Sequence, residues 1–221
     1  MSGMLRGVVF DMDGVIIDSH PAHRLAWKIF LESVGRETCD EELDFILDGC
    51  KRAEILKHFF GELRPEQVVK YGNRKDELLQ EHIDAVQPMP GVVKFLGRLS
   101  EAGIPRAVAT SASRRRAFGT LEELGLARCF HTIVTGDDVA AGKPDPAIYQ
   151  LAAKRLQEPP ERLLAVEDAA SGVKSARAAG MRCLGVAPAH RASLLQAAGA
   201  DPVIPDFRSL SFDELEARFG R

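Results

Sequence analysis

The sequence predicts an α/β fold, a doubly wound parallel sheet into which an all-helical segment is inserted. Three observations predict it. From about residue 90 onward, short apolar runs alternate with segments of helical spacing, the pattern of parallel strands joined by crossover helices. Near the N-terminus, Val8-Val9-Phe10 is apolar at consecutive positions, as a strand buried on both faces must be. Between these regions, residues 16–87 read as helical and close at Gln87-Pro88-Met89-Pro90-Gly91, a stiff connector typical of a domain boundary. The implied division is residues 1–15 and 90–221 for the sheet, and 16–87 for the helical insert.

The elements follow in order. His23, Trp27, Phe30 and Leu31 recur at i, i+4, i+7 and i+8, one face of a helix that Gly35 can stop. Leu43-Phe45-Ile46-Leu47 and Ile55-Leu56-Phe59-Phe60 suggest two short helices separated by Asp48-Gly49. Pro65 suits the first turn of a longer helix through Val68, Val69, Leu78, Leu79 and Ile83. Beyond the connector, helices are expected over 92–99, 114–124, 146–156, after Asp168 as far as Ala179, and over 192–198, with a last one from Phe212. Strands are expected over 105–109, 131–134, 163–166 and 183–186, with a short apolar run at Val203-Ile204. Ligands of such sheets bind beyond the carboxyl ends of the strands, where strand order reverses.

Composition narrows the function. The 221 residues suffice for one large domain or a main domain with an insert. With 45% hydrophobic and 28% charged residues the chain reads as an ordinary soluble protein. A net charge of -3 gives no reason to expect nucleic acid. Cys39, Cys50, Cys129 and Cys183 form no C-x-x-C pair, so neither zinc nor a disulfide framework is suggested. No signal segment, membrane-spanning run or internal repeat is legible, and a cytoplasmic monomer is the expectation.

Chemistry is expected at the rim where the strands end. Asp11 and Asp13 follow the first strand two residues apart, so in extended chain both side chains leave the same side. Two carboxylates held that close repel unless a cation or a shared proton compensates, and magnesium suits hard oxygen ligands. Gly14 then allows a sharp turn. Ser111 ends the second strand, Glu167 and Asp168 end the fourth, and Lys143 lies in the restrained loop Gly142-Lys143-Pro144-Asp145-Pro146. Together they suit metal-assisted phosphoryl transfer, with carboxylates for magnesium, a hydroxyl and a lysine for phosphate oxygens, and one carboxylate left for attack.

Four segments, Asp11-Met12-Asp13-Gly14-Val15, Ala109-Thr110-Ser111-Ala112-Ser113, Gly142-Lys143-Pro144-Asp145 and Val166-Glu167-Asp168-Ala169-Ala170-Ser171-Gly172, resemble those of the haloacid dehalogenase superfamily. The likeness is to its capped phosphatases and β-phosphoglucomutases and covers essentially the whole chain. It implies Asp11 as the nucleophile that becomes an aspartyl-phosphate, and Asp13 as the acid and base. It implies magnesium held by Asp11, the backbone carbonyl of Asp13, and Asp168, with Glu167 ligating through water or orienting the shell. Ser111 and Lys143 would hold the phosphoryl group. Residues 16–87 would be the cap, hinged at Asp18-Ser19 and near Pro88-Pro90, excluding water and choosing the substrate.

His23, Trp27, Arg52 and Lys75 match cap positions of the mutase-like group; His23 and Trp27 equally fit a helix core, and the two cations a solvated face. Arg114-Arg115-Arg116 opposes a helix dipole, and a bound anion would account for it. Ser113 with Arg114, and less so Arg115 and Arg116, could therefore hold a second phosphate. The β-phosphoglucomutases carry Lys-Gly where this chain has Asp48-Gly49, which favours a phosphatase of a small phosphorylated metabolite, a sugar phosphate, over a mutase. A halide-releasing enzyme fits the phosphate-handling carboxylates poorly. A receiver-like magnesium switch would not need the large helical insert.

Overall fold

The computed structural model describes residues 5–39, 42–43, 46, 52–82 and 86–219. At its centre lies β1 (Gly7–Phe10), paired in parallel with β4 (Arg106–Ala109) on one side and β6 (Leu163–Glu167) on the other. The sheet order is β5-β4-β1-β6-β7-β8, with β5 (Thr132–Val134), β7 (Arg182–Val186) and β8 (Val203–Ile204) completing it, every pair parallel. The chain thus builds outward to β5 and then crosses to the far side of β1, so the strand order reverses there. A crevice opens at such a point, beyond the carboxyl end of β1.

Strand periodicity divides the core in two. Val8, Phe10, Val108, Leu164 and Val166 join one apolar cluster with Phe95 and Leu99 of α4 (Val92–Glu101), Leu121 of α5 (Arg114–Glu123) and Leu215 of α9 (Phe212–Phe219). Val9, Ala107, Ala109 and Ala165 join the other with Tyr149 of α6 (Ala147–Leu156), Val173 of α7 (Ala170–Ala178) and Leu195 of α8 (Ala189–Ala198). Adjacent residues of β1 therefore serve opposite faces, which is why its sequence is continuously apolar.

The insert departs from the all-helical expectation at its ends. Ile17–Asp18 (β2) pairs antiparallel with Gln87–Pro88 (β3), Ile17 opposite Pro88 and Asp18 opposite Gln87. β-branched Ile17 favours extended backbone and Pro88 cannot donate an N–H, so a two-residue edge ladder suits both. Between them run α1 (His20–Ser33), α2 (Arg52–Phe60) and α3 (Pro65–Gln80), with proline in the first turn of α1 and of α3. Trp27, Phe30, Phe59, Phe60 and Tyr71 interlock, Phe30 and Phe60 each lying 5.4 Å from the Tyr71 ring. The helix expected near Leu47, together with Asp48-Gly49, Cys50 and Ile83, falls wholly or largely outside the described residues. Among the described residues no helix is long and apolar enough to cross a membrane.

Candidate active site

The β1 ladder carries on for one more bond, from the Asp11 N–H to Val166 O at 2.9 Å, and then the chain turns back. The N–H groups of Ile16 and Ile17 both reach the Met12 carbonyl, at 2.9 and 3.0 Å. Gly14 sits in this loop at φ +70, and a Cβ there would stand 2.3 Å from Asp168 Oδ2. Only glycine satisfies both demands. Asp11 and Asp13 lie just past the end of β1, Asp13 in an isolated bridge to Ile17.

Beneath the loop is a buried charge cluster. Lys143 Nζ donates to Asp11 Oδ1 at 2.6 Å and to Glu167 Oε1 at 2.5 Å, and Tyr149 donates to the same Glu167 oxygen at 2.6 Å. The other Glu167 oxygen accepts from the backbone N–H groups of Asp168 and Ala169, at 3.2 and 3.4 Å. A Cβ on Gly172 would come within 2.0 Å of the Glu167 carboxyl carbon, so the α7 backbone closes over it. Asp11 is 7% exposed, Lys143 2%, Glu167 1% and Asp168 5%. The solvent-facing rim expected from sequence is therefore corrected: the strands end in a floor below the cavity, covered by the insert and by α7.

Burial pushes Asp11 up to about 7 against the pull of Lys143, and it also raises Asp168. Lys143 is shifted the opposite way to what its burial dictates, because Asp11 and Glu167 hold its charge. Asp11, Glu167 and Asp168 offer oxygens within 4.8 Å of one another, and Lys143 meets two of the three, Asp11 and Glu167. Asp168 Oδ2 is buried and, among the described residues, meets only the His20 ring, at 2.9 Å and without the geometry of a hydrogen bond. A buried cluster of three hard-oxygen carboxylates beside a single lysine fits a magnesium ion.

Above this floor lies a cavity of about 250 Å³. Of the residues singled out in the sequence, Asp11, Asp13, His23, Trp27, Arg52, Lys75, Ser111, Ser113, Arg116 and Asp168 line it. Asp13 is held by donors from two directions. Arg116 grips it in bidentate fashion, Nη1 to Oδ1 at 3.0 Å and Nη2 to Oδ2 at 2.5 Å, while Ser19 Oγ donates to Oδ1 at 2.6 Å. Burial works against its charge, but Arg116 and His23 outweigh that and keep the carboxyl well below the ordinary range. His23 Nε2 stands 3.2 Å from Asp13, and its Nδ1 lies 3.0 Å from Lys75 Nζ. Burial lowers His23 to about 3 and Lys75 to about 7, with Lys75 and Arg116 respectively adding to it. Lys75 is buried over the Trp27 ring rather than on a solvated face, and Arg52, half-buried, pairs with Asp76 at 2.7 Å.

Arg114 is the correction among the predicted ligands. Its guanidinium meets Asp138 at 2.5 Å, its N–H meets Asp137 Oδ2 at 2.7 Å, and its side chain is 56% exposed. Ser113 caps α5 by accepting from the Arg116 N–H at 3.4 Å. From that cap, the third helical residue turns inward rather than the first, so Arg116 and not Arg114 lines the cavity. Ser19, His20 and Tyr149 were not legible as site residues: one lies in a hinge, one opens a helix, and one shares an apolar pattern. Their only signal was proximity to the motifs.

Residues 5–180 match the family described as haloacid dehalogenase-like hydrolase. The chain is 32% identical over 189 residues to a phosphorylated carbohydrates phosphatase of Thermotoga maritima, spanning 80% of this chain and 82% of that protein. It is also 32% identical over 191 residues to the β-phosphoglucomutase of Bacillus subtilis, spanning 82% and 83% respectively. Among solved structures, β-phosphoglucomutase from Clostridium difficile shares the fold with a TM-score of 0.88, at 24% identity over 98% of this chain and 97% of that one.

Proposed function

The chain belongs to the haloacid dehalogenase-like hydrolases, and from that premise we propose a magnesium-dependent phosphatase that hydrolyses a small sugar phosphate through an aspartyl-phosphate on Asp11. Membership makes it an enzyme that acts on phosphomonoesters. One observation carries the finer reading: Asp11 both lines the cavity and touches buried Lys143, whose other partner is Glu167.

In this reading an Asp11 oxygen bonds to phosphorus as the bond to the sugar oxygen breaks, and Asp13, which must first take up a proton against the pull of Arg116 and His23, gives it to that oxygen. Water then attacks the aspartyl-phosphate, losing its proton to Asp13 and releasing phosphate. Lys143 and Ser111 hold phosphoryl oxygens, and Glu167 and Tyr149 fix Lys143. Asp11, Asp168, the Asp13 carbonyl and Glu167, directly or through water, are the residues to hold magnesium, which would neutralise phosphoryl charge. Residues 16–87 serve as the cap, and β2 with β3 as its hinge.

A phosphosugar mutase, the activity named for the Bacillus subtilis relative, would use the same floor. It needs free cations to hold a bisphosphate in two orientations, whereas here Arg52 is paired with Asp76 and Arg116 with Asp13. That pairing supports water as the acceptor. The test is a panel of phosphomonoesters with magnesium, following free phosphate, with Asp11→Asn as the control. β-Glucose 1-phosphate with a trace of the 1,6-bisphosphate is included and glucose 6-phosphate measured alongside. Metal-dependent phosphate release that vanishes in Asp11→Asn is the expected result. Rapid conversion to glucose 6-phosphate with little free phosphate would install the mutase reading instead.

A further inference from the structure

The helical insert reaches Asp168, in the floor of the site, through the side chain of His20. His20, the first residue of α1, follows directly on the hinge strand β2, and its Nε2 stands 2.9 Å from Asp168 Oδ2. That oxygen is buried, and the His20 ring is the ion-pair partner it meets. Gly14 packs against both groups: a Cβ there would lie 2.3 Å from the carboxylate oxygen and 2.5 Å from His20 Nε2. His20 and Asp168 also line both the catalytic cavity and a neighbouring cavity of about 590 Å³. The ring therefore forms part of the wall between the two.

We propose that His20 is a positioning residue for Asp168, through which the attitude of the helical insert sets the grip of the magnesium site. The inference rests on the reading of Asp168 as a metal ligand and adds a residue of the insert to that site. A ligating carboxylate needs a fixed orientation, and partners of metal ligands normally supply it. Here the partner rides on α1, so any swing of that helix about β2 and β3 withdraws it. By linkage, magnesium then favours the docked position of α1 by the same factor that docking favours magnesium. Loss of the ring also removes part of the wall between the two cavities, and water would replace a fixed contact at Asp168.

The experiment is calorimetric titration of magnesium into the full chain, comparing wild type, His20→Ala, His20→Gln and Asp168→Ala, each checked for a cooperative thermal transition. His20→Ala is expected to weaken magnesium about tenfold or more, the range for loss of a metal ligand's partner. His20→Gln, which keeps a nitrogen donor, should recover most of the loss. Hydrogen exchange supplies a second readout: magnesium should slow exchange at Asp18 and Gln87 in wild type, and much less so in His20→Ala. Wild-type affinity in His20→Ala, or a tighter one, overturns the inference. If Asp168→Ala loses magnesium while His20→Ala does not, the inference fails alone. If Asp168→Ala also binds as wild type, the metal-site reading fails and takes the inference with it.

Discussion

Lys143 Nζ bridges Asp11 and Glu167 at 2.6 and 2.5 Å, joining the residue after β1 to the residue that ends β6 across the middle of the sheet. Removing the cation would leave two buried carboxylates facing each other. Lys143→Met is therefore expected to destabilise the fold by about 3–5 kcal/mol, the cost of breaking a buried pair. Denaturant unfolding of the variant measures it, and a midpoint equal to wild type would show that the bridge contributes nothing.

Asp11→Asn is expected to abolish phosphate release while the thermal midpoint stays within a few degrees of wild type. The substitution keeps the shape of the side chain and removes a charge whose burial already opposes ionisation. Beryllium fluoride should mark wild type but not the variant in fluorine NMR. Turnover at wild-type rates would remove Asp11 from the reaction.

Asp13→Asn should separate substrates by leaving group. A sugar oxygen needs a proton as it departs and p-nitrophenolate does not, so loss of a general acid costs about 100-fold or more for the sugar phosphate and far less for p-nitrophenyl phosphate. Equal losses on both substrates would mean that Asp13 serves the structure, through Arg116 and Ser19, rather than proton transfer.

Asp138 carries a pH prediction away from the metal site. Its burial disfavours charge, but the Thr135 N–H and hydroxyl, both at 2.8 Å, and Arg155 at 3.0 Å outweigh this and lower its titration below 3.8. A carboxyl depressed on folding stabilises above its unfolded value, and that contribution fades as pH falls through the folded one. The midpoint difference between wild type and Asp138→Ala should be flat above pH 5, roughly, and narrow below 3.8. A difference independent of pH would assign the effect to packing.

The signature carboxylates, Lys143 and Ser111 were legible because each stands where an apolar run ends or where proline and glycine fix a loop. Arg116 was weighed below Arg114 because three successive arginines look alike until a helix cap sets their directions. Burial of the rim was missed for a related reason: the lid over Asp11 comes from segments distant in sequence, and no local pattern reports them.

By itself the sequence determined the class of fold, the insertion of a helical segment into it, and the four segments that mark its family. Those depend on short-range periodicity and on residues whose backbone demands are local, such as Gly14 and Pro65. Only the tertiary structure decided which charges meet: Lys143 with Asp11 and Glu167, Arg116 with Asp13, Arg114 with Asp138, and His20 with Asp168. These pairs lie 24 to 148 residues apart in the chain. Coulomb attraction acts through space, so strand order and helix packing, not sequence spacing, select the partners.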